Sequence, residues 1–334
     1  MNTTRKKVIL YKRATFLAPT GKTLQDHVKD ARRVLTLASQ RALKDGEGDE
    51  HVRIWNSRAD RGLTTCGMFH SYEAGKSQMI LDVADGAEEY SVVAAAPSSA
   101  KGLAHPEFNE GLLFFGIYQN HVLVVQSPAL RVTAFEAYLN WFLQDATTEL
   151  GTNNRLQLSD PTPQRITRDR KIDPLKSLTL TPQLHAELSG DLAHINPPRE
   201  KVKDLRVVLN PTEWHPIRDL LRSMGGDVPD DLKLDGDFNP ARVQVKIELK
   251  WLGRNKDRVE TPLLDAVLYA FRDVDNPPIK GTTVSGETIE GDGFRLKRVE
   301  FFQVDGKNPL PGDVYEKMSK YLAELLERGD IKPE

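Results

Sequence analysis

The apolar positions of this chain follow two periods, a two-residue period typical of strands and a helical period. The clearest strand pattern lies at 242–252, where every second residue is apolar and the residues between are polar or charged. Shorter apolar runs predict further strands at 6–17, 205–209 and 294–302, and several more between 51 and 126. Apolar runs at 112–115 and 122–125 flank a polar turn, so they predict a β-hairpin.

Helical spacing of apolar residues predicts helices at 23–43, 131–146, 216–224 and 311–328. Thr23 is suited to cap the first helix, because its hydroxyl can accept from the backbone N–H of Asp26 and the Asp26 side chain can return the bond. In the last helix one stripe is apolar, which predicts either a core face or a dimer interface; it comprises Val314, Met318, Tyr321, Leu322 and Leu325. The 275–293 segment is rich in glycine, proline and threonine and is expected to be a long loop.

Strand runs with few helices, and no regular alternation of the two, indicate an α+β fold with mixed, mostly antiparallel sheets and a few packing helices. A chain of 334 residues is long enough for two domains. The polar stretch at 151–163 contains two prolines and is expected to be a linker. We therefore predict a globular domain at 1–150, completed by 261–334, and a second domain at 151–260 that carries the basic strand.

The composition excludes several classes of protein. With 46 lysines and arginines against 48 aspartates and glutamates, the net charge is -2, so the chain is neither a polycation nor an acidic tail. The single cysteine, Cys66, excludes a disulfide framework and a cysteine-based zinc site. No apolar run approaches the roughly 18–20 residues that cross a bilayer, and the first residues lack the apolar core of a signal peptide. We expect a soluble, cytoplasmic protein.

No motif of nucleotide binding or nucleophilic catalysis is intact in the sequence. The segment from Phe16 to Thr23 ends in Gly-Lys-Thr between a predicted strand and a predicted helix, as a phosphate-binding loop does. Phe16 stands where that loop needs a glycine, because the backbone must wrap the phosphate there. We interpret the segment as a turn that leads into a helix cap, and we expect neither a cofactor nor a metal in the leading interpretation.

One catalytic constellation is nevertheless compatible with the sequence. Glu248 and Lys250 lie two residues apart on the strongest predicted strand and therefore share a face, and Asp230 and Asp237 lie upstream. This is the layout of a PD-(D/E)xK nuclease, in which two carboxylates hold Mg²⁺ and the lysine polarises the attacking water. The alternative is a solvated strand face that follows an acidic loop.

Basic residues cluster in two segments of this near-neutral chain. Between 165 and 176 there are five basic residues against two acidic ones, and between 242 and 258 there are six against two. On the predicted strand, Arg242, Lys246 and Lys250 recur at even spacing and form a ladder that can follow a phosphate backbone. Segregated charge of this kind favours a nucleic-acid face. A protein-interaction module without nucleic acid would instead disperse the basic clusters over different faces.

The order of segments resembles that of the RexA-like phage exclusion proteins. The 216–256 stretch, PIRDLLRSMGGDVPDDLKLDGDFNPARVQVKIELKWLGRNK, is similar to the central part of that family, with a short helix ending in glycine, an acidic turn and a lysine-bearing strand. The 111–143 stretch, GLLFFGIYQNHVLVVQSPALRVTAFEAYLNWFL, resembles the family's hairpin and following helix, and RLQLSDPTPQRITRD at 155–169 resembles the next segment. The resemblance covers 105–260 and extends distantly to KwaB-like defence proteins.

This resemblance implies a dimeric sensor of phage exclusion, or abortive infection, with a globular domain, a mobile second domain and a membrane-protein effector. Such a protein would bind double-stranded DNA with little sequence preference and signal an infection-related DNA complex to the effector. The phosphate contacts would come from Arg168, Arg170, Lys171, Lys246, Lys250, Arg254, Lys256 and Arg258, and Arg272 would match a further basic position of the family. The family strand lacks a clear Glu-x-Lys pair, which favours the sensor over the nuclease.

Overall fold

The computed structural model describes residues 3–45, 50–62, 64–82, 91–95, 106–160, 175–181, 184–188, 205–209, 247–250, 271, 277–306 and 308–334. The chain forms two compact units: unit 1 comprises Met1–Leu158 and Lys297–Glu334, and unit 2 comprises Ser159–Leu296. The predicted domain limits, 1–150 with 261–334 and 151–260, stay a prediction. The fold class is confirmed: in the described residues it is α+β, with mostly antiparallel sheets and three α-helices.

The strands in the first half of the chain are β1 Thr4–Phe16, β2 Ala42–Asp45, β3 His51–Arg61, β4 Thr64–Glu73, β5 Gln78–Asp82, β6 Ser91–Ala95, β7 Gly111–Tyr118, β8 His121–Gln126 and β9 Leu156–Ser159. The later strands are β10 Leu175–Leu180, β11 Leu184–Leu188, β12 Leu205–Leu209, β13 Ile247–Lys250, β14 Ile279–Thr283, β15 Thr288–Glu290, β16 Lys297–Asp305 and β17 Asn308–Pro309. The helices are α1 Leu24–Val34, α2 Val132–Gln144 and α3 Pro311–Arg328. None of the helices in the described residues is long and apolar enough to cross a membrane.

Unit 1 is built on a sheet with the strand order β17-β16-β1-β8-β7-β4-β3-β2, and β9 pairs with β1. Helices α1 and α2 pack on one face, where alternate residues of β7, such as Leu113 and Phe115, belong to the same buried cluster as the helices. Helix α3 packs on the other face, where the ring of Tyr315 meets the ring of Phe114 at 6.2 Å. Because β7 and β8 are covered on both faces, their sequences are continuous apolar runs without alternation.

Helix α3 follows the predicted limits of 311–328, and its apolar stripe is buried in the core of its own unit. Met318 is fully buried, and its sulfur would lie 3.6 Å from a Cβ added to Gly116 on β7. The core interpretation of this stripe is therefore confirmed, and the alternative of a dimer interface on the same residues is wrong.

Helix α1 ends nine residues before the predicted limit of 43, although its start is as predicted. The hydroxyl of Thr23 accepts from the N–H of Asp26 at 3.3 Å, and the Asp26 carboxylate accepts from the N–H of Thr23 at 3.2 Å. At this end the buried guanidinium of Arg41, a residue within the predicted helix, donates to the carbonyls of Leu35 at 2.9 Å and Thr36 at 2.8 Å. Residues 42–45 then pair with β3.

The 275–293 segment is not the long loop that its composition predicted. It contains a hairpin of β14 and β15, in which Lys280 lies opposite Glu290 and Thr282 opposite Thr288. Gly286 occupies the turn with φ of 91°, a conformation that glycine adopts without strain. Threonine and isoleucine favour strands because their branched side chains suit a pleated surface, so the threonine content was a strand signal.

The other predicted elements fall into two groups. The strands at 6–17, 205–209 and 294–302, the 112–125 hairpin and the 131–146 helix are confirmed with small shifts of their limits. The predicted helix at 216–224 lies outside the described residues, as do 242–246 and 251–252 of the basic strand; its 247–250 part is confirmed as β13.

A buried histidine connects the β7–β8 hairpin to residues 332–334. The Tyr11 hydroxyl donates to Nδ1 of His121 at 2.7 Å, and Nε2 of His121 donates to the carbonyl of Lys332 at 3.0 Å. Glu334 in turn contacts Arg13 and receives a 2.9 Å hydrogen bond from the Gln119 side chain to its carbonyl. Burial lowers the pKa of His121 below its ordinary value.

The buried His121 predicts a loss of stability on mild acidification. Because its pKa is lower in the folded state, the unfolded chain binds the proton first, and the free energy of unfolding falls as the pH drops below about 6.5. Urea denaturation at several pH values between about 7.5 and 5.5 should show this fall, with a shallower slope for His121→Gln. Substitution of the exposed His51 by glutamine is the control for the same change of residue type at the surface. Equal slopes for His121→Gln and the unmodified protein would contradict the assignment.

Candidate nucleic-acid interface

The described residues include only one of the nine predicted DNA contacts. Lys250 is the last residue of β13, and its backbone lies opposite Ser177 of β10. The others lie outside the described residues: Arg168, Arg170, Lys171, Lys246, Arg254, Lys256, Arg258 and Arg272. The structure therefore leaves the predicted cluster untested as a whole.

Strand β13 belongs to a four-stranded sheet of unit 2 with the order β13-β10-β14-β15. One face of the sheet is buried, because Leu178 and Leu180 of β10 are fully buried and Ile279 of β14 nearly so. Glu248 is exposed, and its register partner on β10 is Thr179, which alternates with the buried leucines. Glu248 therefore lies on the outer face, as the two-residue period of the sequence predicted.

The outer face carries a row of side chains that crosses all four strands. The row runs from Glu248 through Thr179 and Lys280 to Glu290, each opposite the next. The Lys280 ammonium lies 2.6 Å from a carboxylate oxygen of Glu290. Both side chains are more than half exposed, so this pair contributes at most about 1 kcal/mol to stability. The local charge of this row is mixed.

Lys280 and Glu290 were not candidates in the sequence analysis. The composition of 275–293 predicts a loop, and a loop gives no strand register that would bring these two residues together. The hairpin instead places Lys280 one strand away from β10, on the face that bears Glu248. A threonine-rich strand pattern on both sides of Gly286 is the signal that could have identified them.

The nuclease alternative is not tested by these residues. Asp230 and Asp237, which would share the metal with Glu248, lie outside the described residues. Within the described part of the chain, no group of three or more histidine, cysteine, aspartate or glutamate side chains could hold a metal ion. The nuclease therefore remains the alternative hypothesis.

Arg295 is a basic residue that is buried and does not lie on the surface. Its guanidinium lies 3.4 Å from the carboxylate of Asp160 and 3.0 Å from that of Asp292, and it also donates to the carbonyl of Phe271. The side chains of Arg295 and Asp160 are 6% and 1% exposed. A buried pair of this kind is strongly destabilised when one partner is removed, because the other charge stays buried. Arg295 is therefore unsuitable as a DNA contact.

Comparison with family models and with curated proteins identifies no relative of this chain. No protein-family model matches the chain, and a search of curated proteins finds no match. The likeness to RexA-like proteins thus rests on the order of segments alone, and the function is argued from the charge and exposure of particular residues.

Proposed function

We propose that this protein is a cytoplasmic sensor that binds double-stranded DNA without sequence preference and acts in phage exclusion. In this proposal the protein is a homodimer and signals to a membrane-protein effector. The DNA contacts are the basic residues of unit 2 named above, and the protein performs no chemistry on the DNA.

The exposed Glu248 is the observation that carries this proposal. It shows which side of β13 faces outward, since the same sheet buries Leu178 and Leu180 on its other side. The two-residue period of the sequence predicts that Lys246 and Lys250 share the side of Glu248. Four residues of extended strand span about 13 Å, so the two lysines can contact separate phosphates of one duplex.

Charge reversal of the two lysines tests the proposal. Binding of a fluorescent random-sequence duplex is measured by anisotropy across a series of salt concentrations, with Mg²⁺ in a parallel series. The protein is expected to bind more weakly as salt rises and to leave the duplex intact. The variant with Lys246→Glu and Lys250→Glu should lose affinity evenly across sequences, and its logarithmic salt slope should be shallower by about 1.8, since each phosphate contact contributes about 0.9.

A matched control variant reverses two lysines of unit 1 and so changes the net charge by the same amount. Lys44 on β2 and Lys320 on α3 are exposed in unit 1, and their reversal to glutamate should leave duplex binding nearly unchanged. Equal losses in the two double variants would mean that net charge alone governs binding, which would refute the basic strand as the DNA face. Mg²⁺-dependent cleavage would replace the sensor by the nuclease, and the absence of binding at low salt would refute both.

A further inference from the structure

One end of the unit 1 sheet has a face with exposed apolar side chains. Val8 on β1 and Val299 and Phe301 on β16 are 37%, 48% and 60% exposed. The register places Val8 opposite Val299 and Lys6 opposite Phe301, so these four side chains lie on one face. The alternate residues Ile9 and Phe302 are fully buried on the other face, where Lys317 of α3 stacks on the Phe302 ring. We call the exposed side the β1–β16 face.

The β1–β16 face lies on the side of the sheet that α1 and α2 cover elsewhere, and no helix of the described residues covers it here. Ala14 has the same parity as Lys6 and Val8 along β1, and it belongs to the core cluster beneath α1 and α2. Toward the start of β1, burial is lost: residues 3–6 and 8 are exposed. Phe301 is therefore exposed because the sheet extends beyond the helices α1 and α2 that pack on this face.

The charged side chain nearest to Phe301 on this face is basic. Lys6 is exposed directly opposite Phe301, whereas Lys297 and Asp305 lie four residues before and after Phe301 on the same face of β16. An anionic ligand with a flat apolar part would complement an aromatic ring beside an ammonium group.

A single-stranded nucleic acid fits these features better than a second protein. Bases stack on exposed aromatic rings while lysines contact the backbone phosphates, and this is how sheet surfaces bind unpaired strands. One phenylalanine and two valines expose far less than the roughly 800 Å² per partner that a stable protein interface buries.

We propose that the β1–β16 face binds an unpaired DNA strand, with one base stacked on Phe301 and a phosphate contact from Lys6. This inference rests on the proposed function, because it names a second contact for the same class of ligand. It places the contact in unit 1, whereas the duplex contacts proposed above lie in unit 2. A sensor with both surfaces would distinguish DNA that contains unpaired segments from intact duplex.

The test measures binding of a fluorescent thymidine oligonucleotide by anisotropy, with the full chain. Phe301→Ala is expected to weaken binding by about 5- to 150-fold, the range for loss of one base stack. Phe301→Trp should retain binding and Phe301→Leu should not, since leucine preserves apolar area without a ring face. Lys6→Glu should reduce the salt slope, and Lys44→Glu, which is remote from this face, should not.

Several outcomes would overturn the inference. Binding by Phe301→Leu or Phe301→Ala equal to that of the unmodified protein would exclude stacking. A change of oligomeric state in Phe301→Glu, measured by light scattering after size exclusion, would identify the face as an interface between copies. Substitution of Leu37, an equally exposed residue after α1, by alanine is the matched control. The two proposals can fail separately. If Phe301→Ala binds the oligonucleotide as well as the unmodified protein, this inference is refuted. If the variant with Lys246→Glu and Lys250→Glu still loses duplex binding, the proposed function stands.

Discussion

Replacement of Gly67 by alanine is expected to destabilise unit 1 by about 3 kcal/mol, at the upper end of the usual cost of overpacking a core. A Cβ at this position of β4 would clash with Cζ of Phe115 and Nε1 of Trp55 and would lie 2.8 Å from the carbonyl oxygen of Ser57. The rings of Trp55 and Phe115 are fully buried and pack edge to face at 5.3 Å. Neither can move without displacing its neighbours.

The measurement is urea denaturation followed by tryptophan fluorescence and circular dichroism. Gly312→Ala is the matched control, because no atom lies within 4 Å of its added Cβ and the residue is in the first turn of α3. That change should be neutral or stabilise the protein by up to about 1 kcal/mol, since alanine favours helices over glycine. A Gly67→Ala protein as stable as the unmodified one would contradict the described packing of β4 against β3 and β7.

The elements that the sequence predicted best are those whose burial has a local period. The apolar residues of α3 repeat every three or four positions, because one face of the helix packs on the sheet. The end of α1 is not marked in the apolar pattern, which continues at Leu35 and Ala38. Arg41 caps the carbonyls of Leu35 and Thr36 because β2 is paired with β3, and that pairing depends on residues outside the helix.

The candidate sites depend on which strands are neighbours, and periodicity does not contain that information. Glu248 stands opposite Thr179, which is 69 positions earlier in the chain, and Lys280 stands on the other side of Thr179. The apolar run at 294–302 predicted a strand, but not that its Phe301 side is exposed. That property follows from the strand order, in which β16 lies near the edge.

Phe135→Ala is expected to lower the free energy of unfolding by about 3–5 kcal/mol, the usual cost of removing a buried phenylalanine. Phe135 on α2 is fully buried, with its ring 4.7 Å from that of Phe115 and 5.4 Å from that of Phe69. The space left by its ring is bounded by other rings and cannot collapse easily. Urea denaturation provides the measurement, with the native baseline followed by circular dichroism.

Phe301→Ala makes the same chemical change where the ring is 60% exposed, and it should alter stability by no more than about 0.5 kcal/mol. The pair of variants therefore separates burial from residue type. A small effect at Phe301 also means that any loss of oligonucleotide binding in that variant reflects the missing ring and not unfolding. A cost at Phe301 as large as that at Phe135 would mean that the β1–β16 face is covered in the folded protein, and an unpaired DNA strand could not reach it.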